Sequence, residues 1–143
     1  MFTERELSYC KNIMISKFQY INDDSGKILI LHKESDYKFN LNRLFLIFED
    51  KGSKRGMHAH KRCFQFLICI EGKVELVVDD GSVTKELLLD SPDKGVLIPP
   101  SIWAVQSYLA KSNKLLVLCS DIFDESDYIR SYNEFLKFRS SCK

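Results

Sequence analysis

The stretch that decides the fold reads Arg55-Gly56-Met57-His58-Ala59-His60 and continues into an apolar run at residues 63–70 that ends at Glu71-Gly72. Two of the three histidines of the chain lie here, two residues apart. Successive side chains of a β-strand point to opposite faces, so both imidazoles share a face if this segment is a strand. The stretch therefore predicts a small barrel in which a histidine pair faces an internal cavity, where it can move protons or bind a metal.

Short β-type runs separated by turn residues recur along the whole chain. We predict strands at residues 27–33, 43–49, 62–71, 73–79, 83–90, 95–99, 102–108 and 114–120. Asp80-Gly81 lies between two of these runs and is typical of a type I′ hairpin turn, which needs positive φ at both central residues. Eight short strands in 143 residues predict an all-β sandwich or barrel.

A helix is expected only near the C-terminal end. Ser126 is suited to cap a segment in which Ile129, Tyr132, Phe135 and Leu136 recur at helical spacing. The acidic residues between positions 121 and 127 lack the regular spacing and central glycine of a calcium loop, so we interpret them as solvated charge.

The length favours a single domain over residues 1–143. Within it we predict an N-terminal extension at residues 1–24, a β barrel at residues 25–120, and a C-terminal helix and tail at residues 121–143.

Composition excludes several classes of function. The 21 lysines and arginines nearly balance the 20 aspartates and glutamates, so the basic field that nucleic-acid binding needs is missing. No apolar run approaches the roughly 20 residues of a membrane-spanning helix, and the first residues do not form a signal peptide. The five cysteines are odd in number and form no C-x-x-C, which favours reduced thiols and a cytoplasmic location.

The histidine pair does not fit the ligand pattern of metal-binding cupins. That pattern has a glutamate separated from the second histidine by four residues, where this chain has Gln65, and a further histidine on a later strand, where this chain has Ala104 or its neighbours. Two histidines and an amide are a poor ligand set, so no metal is expected. Gln65 reaches the face of the histidines only if a turn or bulge intervenes around residues 61–63.

Without a metal, an imidazole pair can take a proton from one carbon and deliver one to its neighbour near neutral pH. Arg55 could bind a phosphate or an oxyanion. Each of these residues also has a purely structural alternative. The histidines can be hydrogen-bonded at the start of a strand, Arg43 and Arg55 can be surface charges, and Trp103 can pack in the core rather than form a stacking platform.

Several segments together resemble the sugar 3,4-ketoisomerases that act on dTDP-4-keto-6-deoxyglucose, small cupins called WxcM-like. The segments are Arg55-Gly56-Met57-His58-Ala59-His60-Lys61, Gln65 in its strand, Asp79-Asp80-Gly81, Leu89-Asp90-Ser91-Pro92, Trp103, and Asp124-Glu125-Ser126-Asp127-Tyr128-Ile129-Arg130. The resemblance spans about residues 25–136. It implies a cupin-type double-stranded β-helix (a jelly roll), a homodimer with exchanged N-terminal strands, no metal and no cofactor.

The resemblance also implies a reaction and a site. A dTDP-linked 4-keto-6-deoxyhexose would have its keto group moved from C4 to C3 through an enediol, on the way to deoxyamino sugars of bacterial surface glycans such as O-antigen lipopolysaccharide. His58 and His60 would be catalytic, and substrate would contact Arg43, Arg55, Gln65 and Trp103.

Two departures from the family pattern are visible. Residues 44–48 lack the family's tyrosine, and Ala104 replaces a histidine. The alternatives are therefore a catalytically silent sugar-nucleotide-binding cupin, a related nucleotide-sugar epimerase and, less favoured, a metal-dependent oxygenase.

Overall fold

The computed structural model of the protein describes residues 13–142. Its twelve strands form two five-stranded antiparallel sheets and one hairpin. The strands are β1 (Met14–Lys17), β2 (Gln19–Asp23), β3 (Gly26–Ile30), β4 (Arg43–Asp50), β5 (Lys54–His60), β6 (Gln65–Glu71), β7 (Val74–Asp79), β8 (Thr84–Leu89), β9 (Lys94–Ile98), β10 (Trp103–Tyr108), β11 (Ser112–Cys119) and β12 (Tyr128–Ile129). One helix, α1 (Tyr132–Ser141), follows them. The predicted class, an all-β jelly roll with a short C-terminal helix, is confirmed.

The first sheet has the order β1-β9-β6-β11-β4 and the second β12-β5-β10-β7-β8. The main apolar core contains residues of both sheets, among them Leu67 of β6 and Leu76 of β7, which are fully buried. The opposite face of β6 contributes Phe66 and Ile68 to a second cluster, which Leu29 of the β2–β3 hairpin covers. Because β6 is buried on both faces, its sequence is apolar without alternation.

Two strands, β1 and β2, lie within the predicted N-terminal extension at residues 1–24. β1 adds to the first sheet by pairing with β9, and β2 pairs with β3. The predicted strand at residues 27–33 ends at Ile30, and residues Lys33–Tyr37 form one π-helical turn. These short strands carry mixed side chains, so their hydrophobic alternation is too weak to read.

The C-terminal helix begins later than predicted. Ser131, not Ser126, caps α1 by accepting a hydrogen bond from the Glu134 amide. Ser126 lies in a 3₁₀ turn, Glu125–Asp127, and Ile129 belongs to β12. The apolar spacing of residues 129–136 therefore joins a strand to a helix rather than describing one helix.

The Asp80-Gly81 hairpin lies where predicted, between β7 and β8. Its turn differs from type I′, because only Gly81 has a positive φ of 89°. Asp80 instead closes a longer loop through its carboxylate, which accepts hydrogen bonds from the Ser82 and Val83 amides at 2.9 Å each.

Candidate active site

A cavity of about 380 Å³ opens between the two sheets, and it has both polar and apolar walls. Strands β4, β5, β6 and β10 contribute to it, together with the segment around β12. Its lining residues are Phe45, Ile47, Lys54, Arg55, Gly56, His58, Gln65, Gln106, Tyr128 and Arg130. His58 and Gln65 thus face one space, because residues 61–64 form a turn that moves the chain from β5 in the second sheet to β6 in the first.

The backbone of β5 has a bulge that orients His58. His58 pairs with Ala104 of β10 and Gly56 with Val105, so Met57 has no partner and points outward, 49% exposed. Gly56 and Met57 have positive φ values of 84° and 56°. A Cβ on Gly56 would lie 2.7 Å from the Ala104 carbonyl oxygen, so only glycine fits this close approach.

The bulge also sets the tautomer of His58. Its Nδ1 lies 3.1 Å from the Gly56 carbonyl oxygen, which can only accept, so the proton is on Nδ1. Nε2 then carries the lone pair. Burial and, next, the neighbouring His60 lower the pKa of His58 to about 4. His58 is therefore neutral at pH 7 and able to accept a proton.

His60 is buried, at 5% exposed, and unlike His58 it does not line the cavity. The two rings are perpendicular with centroids 5.0 Å apart, and the ring of Tyr128 lies 4.4 Å from that of His60. His60 Nδ1 donates to Asp127 Oδ2 at 2.8 Å. Burial alone would raise the pKa of Asp127, but hydrogen bonds from His60 and the Arg62 amide lower it, so the carboxylate is ionised. The interpretation of residues 121–127 as solvated charge is thus wrong for Asp127, which is 3% exposed.

Among the described residues, three cationic side chains and no acidic side chain line the cavity. Arg55 forms an ion pair with Glu49, and Arg130 binds Glu125 through two bonds of 2.6 and 3.0 Å. Lys54 makes no ion pair within residues 13–142. Because a nucleotide pyrophosphate is anionic, the cationic rim formed by Lys54, Arg55 and Arg130 favours its binding.

Arg43 lies beside this rim without lining the cavity. Its Nη1 is 3.4 Å from the Tyr128 hydroxyl, its guanidinium lies against the rings of Phe45 and Phe123, and its Nε is buried without a partner among the described residues.

The cavity wall formed by β4, the strand on which the resemblance implies a tyrosine, is apolar. Phe45 and Ile47 of β4 face the cavity, and this strand carries no hydroxyl group. The phenol of Tyr128, which lies near the C-terminal end of the chain, does line the cavity. Two amides add polar groups: Gln65 contacts Cys119 Sγ at 3.5 Å, and Gln106 accepts from the Tyr108 hydroxyl at 2.8 Å.

The residues at the cavity do not fit the metal centre that many cupins hold. Gln65 and Ala104 provide neither a carboxylate nor a third imidazole beside His58. Donor atoms of His60, Cys63 and Asp127 lie within 4.8 Å of one another, but Asp127 already uses both oxygens, accepting from His60 and from the Arg62 amide.

Trp103 lies away from the cavity. Its ring packs on Tyr132 and Phe135 of α1, at centroid distances of 5.4 and 5.7 Å. Its predicted contact with substrate has no support in this arrangement and stays a prediction. The sequence analysis gave no role to Gln106, Tyr128 or Arg130. For the last two, the only signal was their place in the Asp124–Arg130 segment that carried the resemblance.

A larger cavity, about 520 Å³, lies between β1 and β8. Half of its lining residues are aliphatic, and Lys94 there forms an ion pair of 2.8 Å with Asp90. No histidine or arginine lines it within residues 13–142, so the smaller cavity is the candidate active site.

Comparison with known proteins agrees with this geometry. The family profile "FdtA: WxcM-like, C-terminal" matches residues 11–140. The chain belongs to this family. It is 35% identical over 125 residues to TDP-4-oxo-6-deoxy-alpha-D-glucose-3,4-oxoisomerase of Aneurinibacillus thermoaerophilus, covering 87% of this chain and 90% of the relative. The named activity makes this FdtA-family chain an isomerase.

Solved structures of sugar 3,4-ketoisomerases superpose closely on this FdtA-family chain. The enzyme of Helicobacter canadensis has a TM-score of 0.85 at 35% identity, covering 90% of this chain and 98% of its own. QdtA of Thermoanaerobacterium thermosaccharolyticum, in complex with TDP, has a TM-score of 0.87 at 32% identity, covering 92% and 97%. A histidine mutant of QdtA was solved with TDP-4-keto-6-deoxyglucose.

Among the residues described, no helix has the length and apolar character needed to cross a membrane. Cys63, Cys69, Cys119 and Cys142 are free thiols, and Cys10 lies outside the described residues.

Proposed function

We propose that this protein converts a dTDP-linked 4-keto-6-deoxyglucose into the corresponding 3-keto-6-deoxyhexose by proton transfer at His58. The observation that carries the proposal is the cavity-facing, neutral His58, fixed by the Gly56 carbonyl and surrounded by amides and cations. The activities named for the relatives support the same reaction class.

The chemistry follows from the acidity of a carbon next to a ketone. His58 Nε2 removes the proton from C3, and the electron pair of that C–H bond forms a C3–C4 double bond while O4 takes up negative charge. In the resulting enediolate the proton of the O3 hydroxyl moves to O4, which leaves the negative charge on O3. C4 then takes the proton that His58 holds, so that C3 becomes the ketone, O4 is a hydroxyl and His58 is neutral again. No electrons leave the sugar, so no redox cofactor is required.

The remaining wall residues have supporting roles in this proposal. Gln65 and Gln106 can donate to the enediolate oxygens, where fixed donors act more strongly than water. Arg55, Arg130 and Lys54 bind the pyrophosphate. His60, predicted to share the proton transfer, contacts His58 rather than the cavity, so its role is indirect.

Turnover distinguishes the isomerase from a silent sugar-nucleotide-binding module. The purified protein is incubated with dTDP-4-keto-6-deoxyglucose in D₂O and followed by NMR. We expect deuterium at C3 of recovered substrate and accumulation of the 3-keto product. The variant His58→Asn should lose about 10²-fold or more in kcat, the usual contribution of a general base, while still binding TDP. Tight binding without turnover would favour the silent module, and inversion at C3 or C5 without keto transfer would favour an epimerase.

We also propose that the protein is a cytoplasmic homodimer. On the outer face of β4, Leu44, Leu46 and Phe48 are 53%, 42% and 63% exposed, and Ile28 of β3 is 55% exposed. Apolar side chains in such a row on an edge strand favour contact with a second copy.

A further inference from the structure

His60 is held in one orientation and one tautomer. Its Nδ1 and Asp127 Oδ2 are 2.8 Å apart, and the two side chains are 6% and 4% exposed. Since an ionised carboxylate only accepts, the proton of neutral His60 is on Nδ1 and the lone pair on Nε2. Within residues 13–142, Nε2 has no hydrogen-bond partner, although it is buried. A structural histidine would normally satisfy both nitrogens, so His60 is arranged for something besides anchoring.

Asp127 cannot turn away from His60. Its second oxygen accepts from the Arg62 amide at 2.7 Å, and its backbone carbonyl accepts from the Lys61 amide at 2.8 Å. The next residue, Tyr128, pairs with His60 as β12 adds to β5. The carboxylate is thus fixed from three directions.

The fixed pair lies directly behind the base. The edge-to-face contact of His60 with His58 means that the two rings cannot move independently. When His58 takes a proton it becomes an imidazolium in a largely buried position, which is unfavourable without a nearby anion. The charged and titratable groups around the histidines are Asp127 and Arg62 behind His60, Cys63 in the adjoining turn, Tyr128 over both rings, and Glu125 and Arg130 beside the cavity. Asp127 is the buried carboxylate of this set, and it is hydrogen-bonded directly to His60.

We propose that Asp127 is a positioning residue for the isomerisation: acting through the fixed imidazole of His60, it holds the His58 ring in place and stabilises the positive charge that His58 acquires. The proposal rests on the proposed function, because it assumes that His58 receives the proton. Neither Asp127 nor His60 lines the cavity. Asp127, His60 and His58 form a row in this order, with the base at its end. Asp127 acts in the way that a buried aspartate orients a catalytic histidine elsewhere.

The test variant is Asp127→Asn, which preserves shape. The asparagine oxygen can still accept from the Arg62 amide, but its NH₂ group then faces His60 Nδ1. His60 must then accept a hydrogen bond at Nδ1 and carry its own proton on Nε2. The negative charge of the Asp127 carboxylate is lost. The matched control is Asp124→Asn, which lies in the same segment and contacts Arg62 at 2.9 Å but leaves His60 untouched.

For Asp127→Asn we expect kcat to fall by about 10- to 100-fold, the usual effect of losing an orienting partner, with KM within about twofold of the wild type. Asp124→Asn should keep its kcat. In ¹⁵N-histidine NMR spectra, His60 should be protonated on Nδ1 in the wild type and in Asp124→Asn, and on Nε2 in Asp127→Asn. Asp127→Glu, which keeps the charge, should recover part of kcat.

An unchanged kcat in folded Asp127→Asn would overturn the proposal, as would an equal loss in Asp124→Asn. If Asp127→Asn does not fold, the wild-type spectrum decides, because protonation of His60 on Nε2 there contradicts the proposal. Failure of the proposed function itself appears differently: the wild type then converts no nucleotide sugar while the His60 tautomer is still as expected.

Discussion

Replacing Gly56 by alanine should damage both stability and activity. With φ at 84°, an alanine at this position pays about 1–2 kcal/mol for the left-handed backbone alone. Its Cβ would also lie 2.7 Å from the Ala104 carbonyl oxygen and 3.4 Å from Val105 Cα. Both are backbone atoms of β10 and cannot rotate away. We expect a total loss of about 3 kcal/mol in the free energy of unfolding, since forced overpacking typically costs 1–3 kcal/mol.

Gly52 offers a matched control. Its φ is 94°, yet a Cβ there would meet nothing within 4 Å. Gly52→Ala should therefore cost only the backbone strain, about 1–2 kcal/mol. Urea denaturation of both variants measures the difference directly. Gly56→Ala should also lower kcat, because the Gly56 carbonyl orients His58. Equal losses of stability in the two variants, with full activity in Gly56→Ala, would refute the reasoning on the bulge.

Four further outcomes are expected. The pKa of His58 is lowered to about 4, so the unfolded chain binds a proton between roughly pH 6.5 and 4 that the native state does not. Stability should therefore fall through that window as pH decreases, by up to about 3 kcal/mol, and the slope should be smaller in His58→Asn. Trp103→Ala should cost about 2–4 kcal/mol in thermal or urea unfolding by removing contacts with Tyr132, while calorimetric TDP affinity stays unchanged. Phe48→Glu should convert a dimer into a monomer by light scattering, and a wild-type monomer would contradict the dimer. Arg130→Gln should weaken TDP binding by about tenfold, increasingly so at low salt, because it removes a charge from the rim.

The parts of the fold that the sequence predicts are those with strong local signals. Strand β6 was recognisable because Phe66 to Ile70 are apolar without interruption, and β7 and β8 because Asp80-Gly81 separates them. Short strands such as β1 and β12 escaped, since four residues or fewer carry no readable alternation. Their existence depends on the partner strands β9 and β5, which lie far away in the sequence.

The candidate site divides in the same way. His58, Arg55 and Gln65 could be found because they lie in or near one unusual stretch, and all three line the cavity. Asp127 could not, because its meaning comes from a hydrogen bond that spans 67 positions. Trp103 is a contrasting case. An isolated aromatic residue after a proline turn is equally compatible with stacking and with packing, and in the structure its ring packs on Phe135 of α1.

The pairing of β12 with β5 has a consequence for the order in which this protein becomes active during synthesis. Tyr128 and Arg130 form one side of the cavity, and Asp127 supports its histidines, so the site combines the middle of the chain with residues made much later. Strands β4 to β11 all precede that segment in the order of synthesis, so they cannot complete the cavity by themselves. Substrate binding and turnover must then follow the release of the segment around β12. A chain that ends before residue 124 should lack one side of the cavity and be inactive.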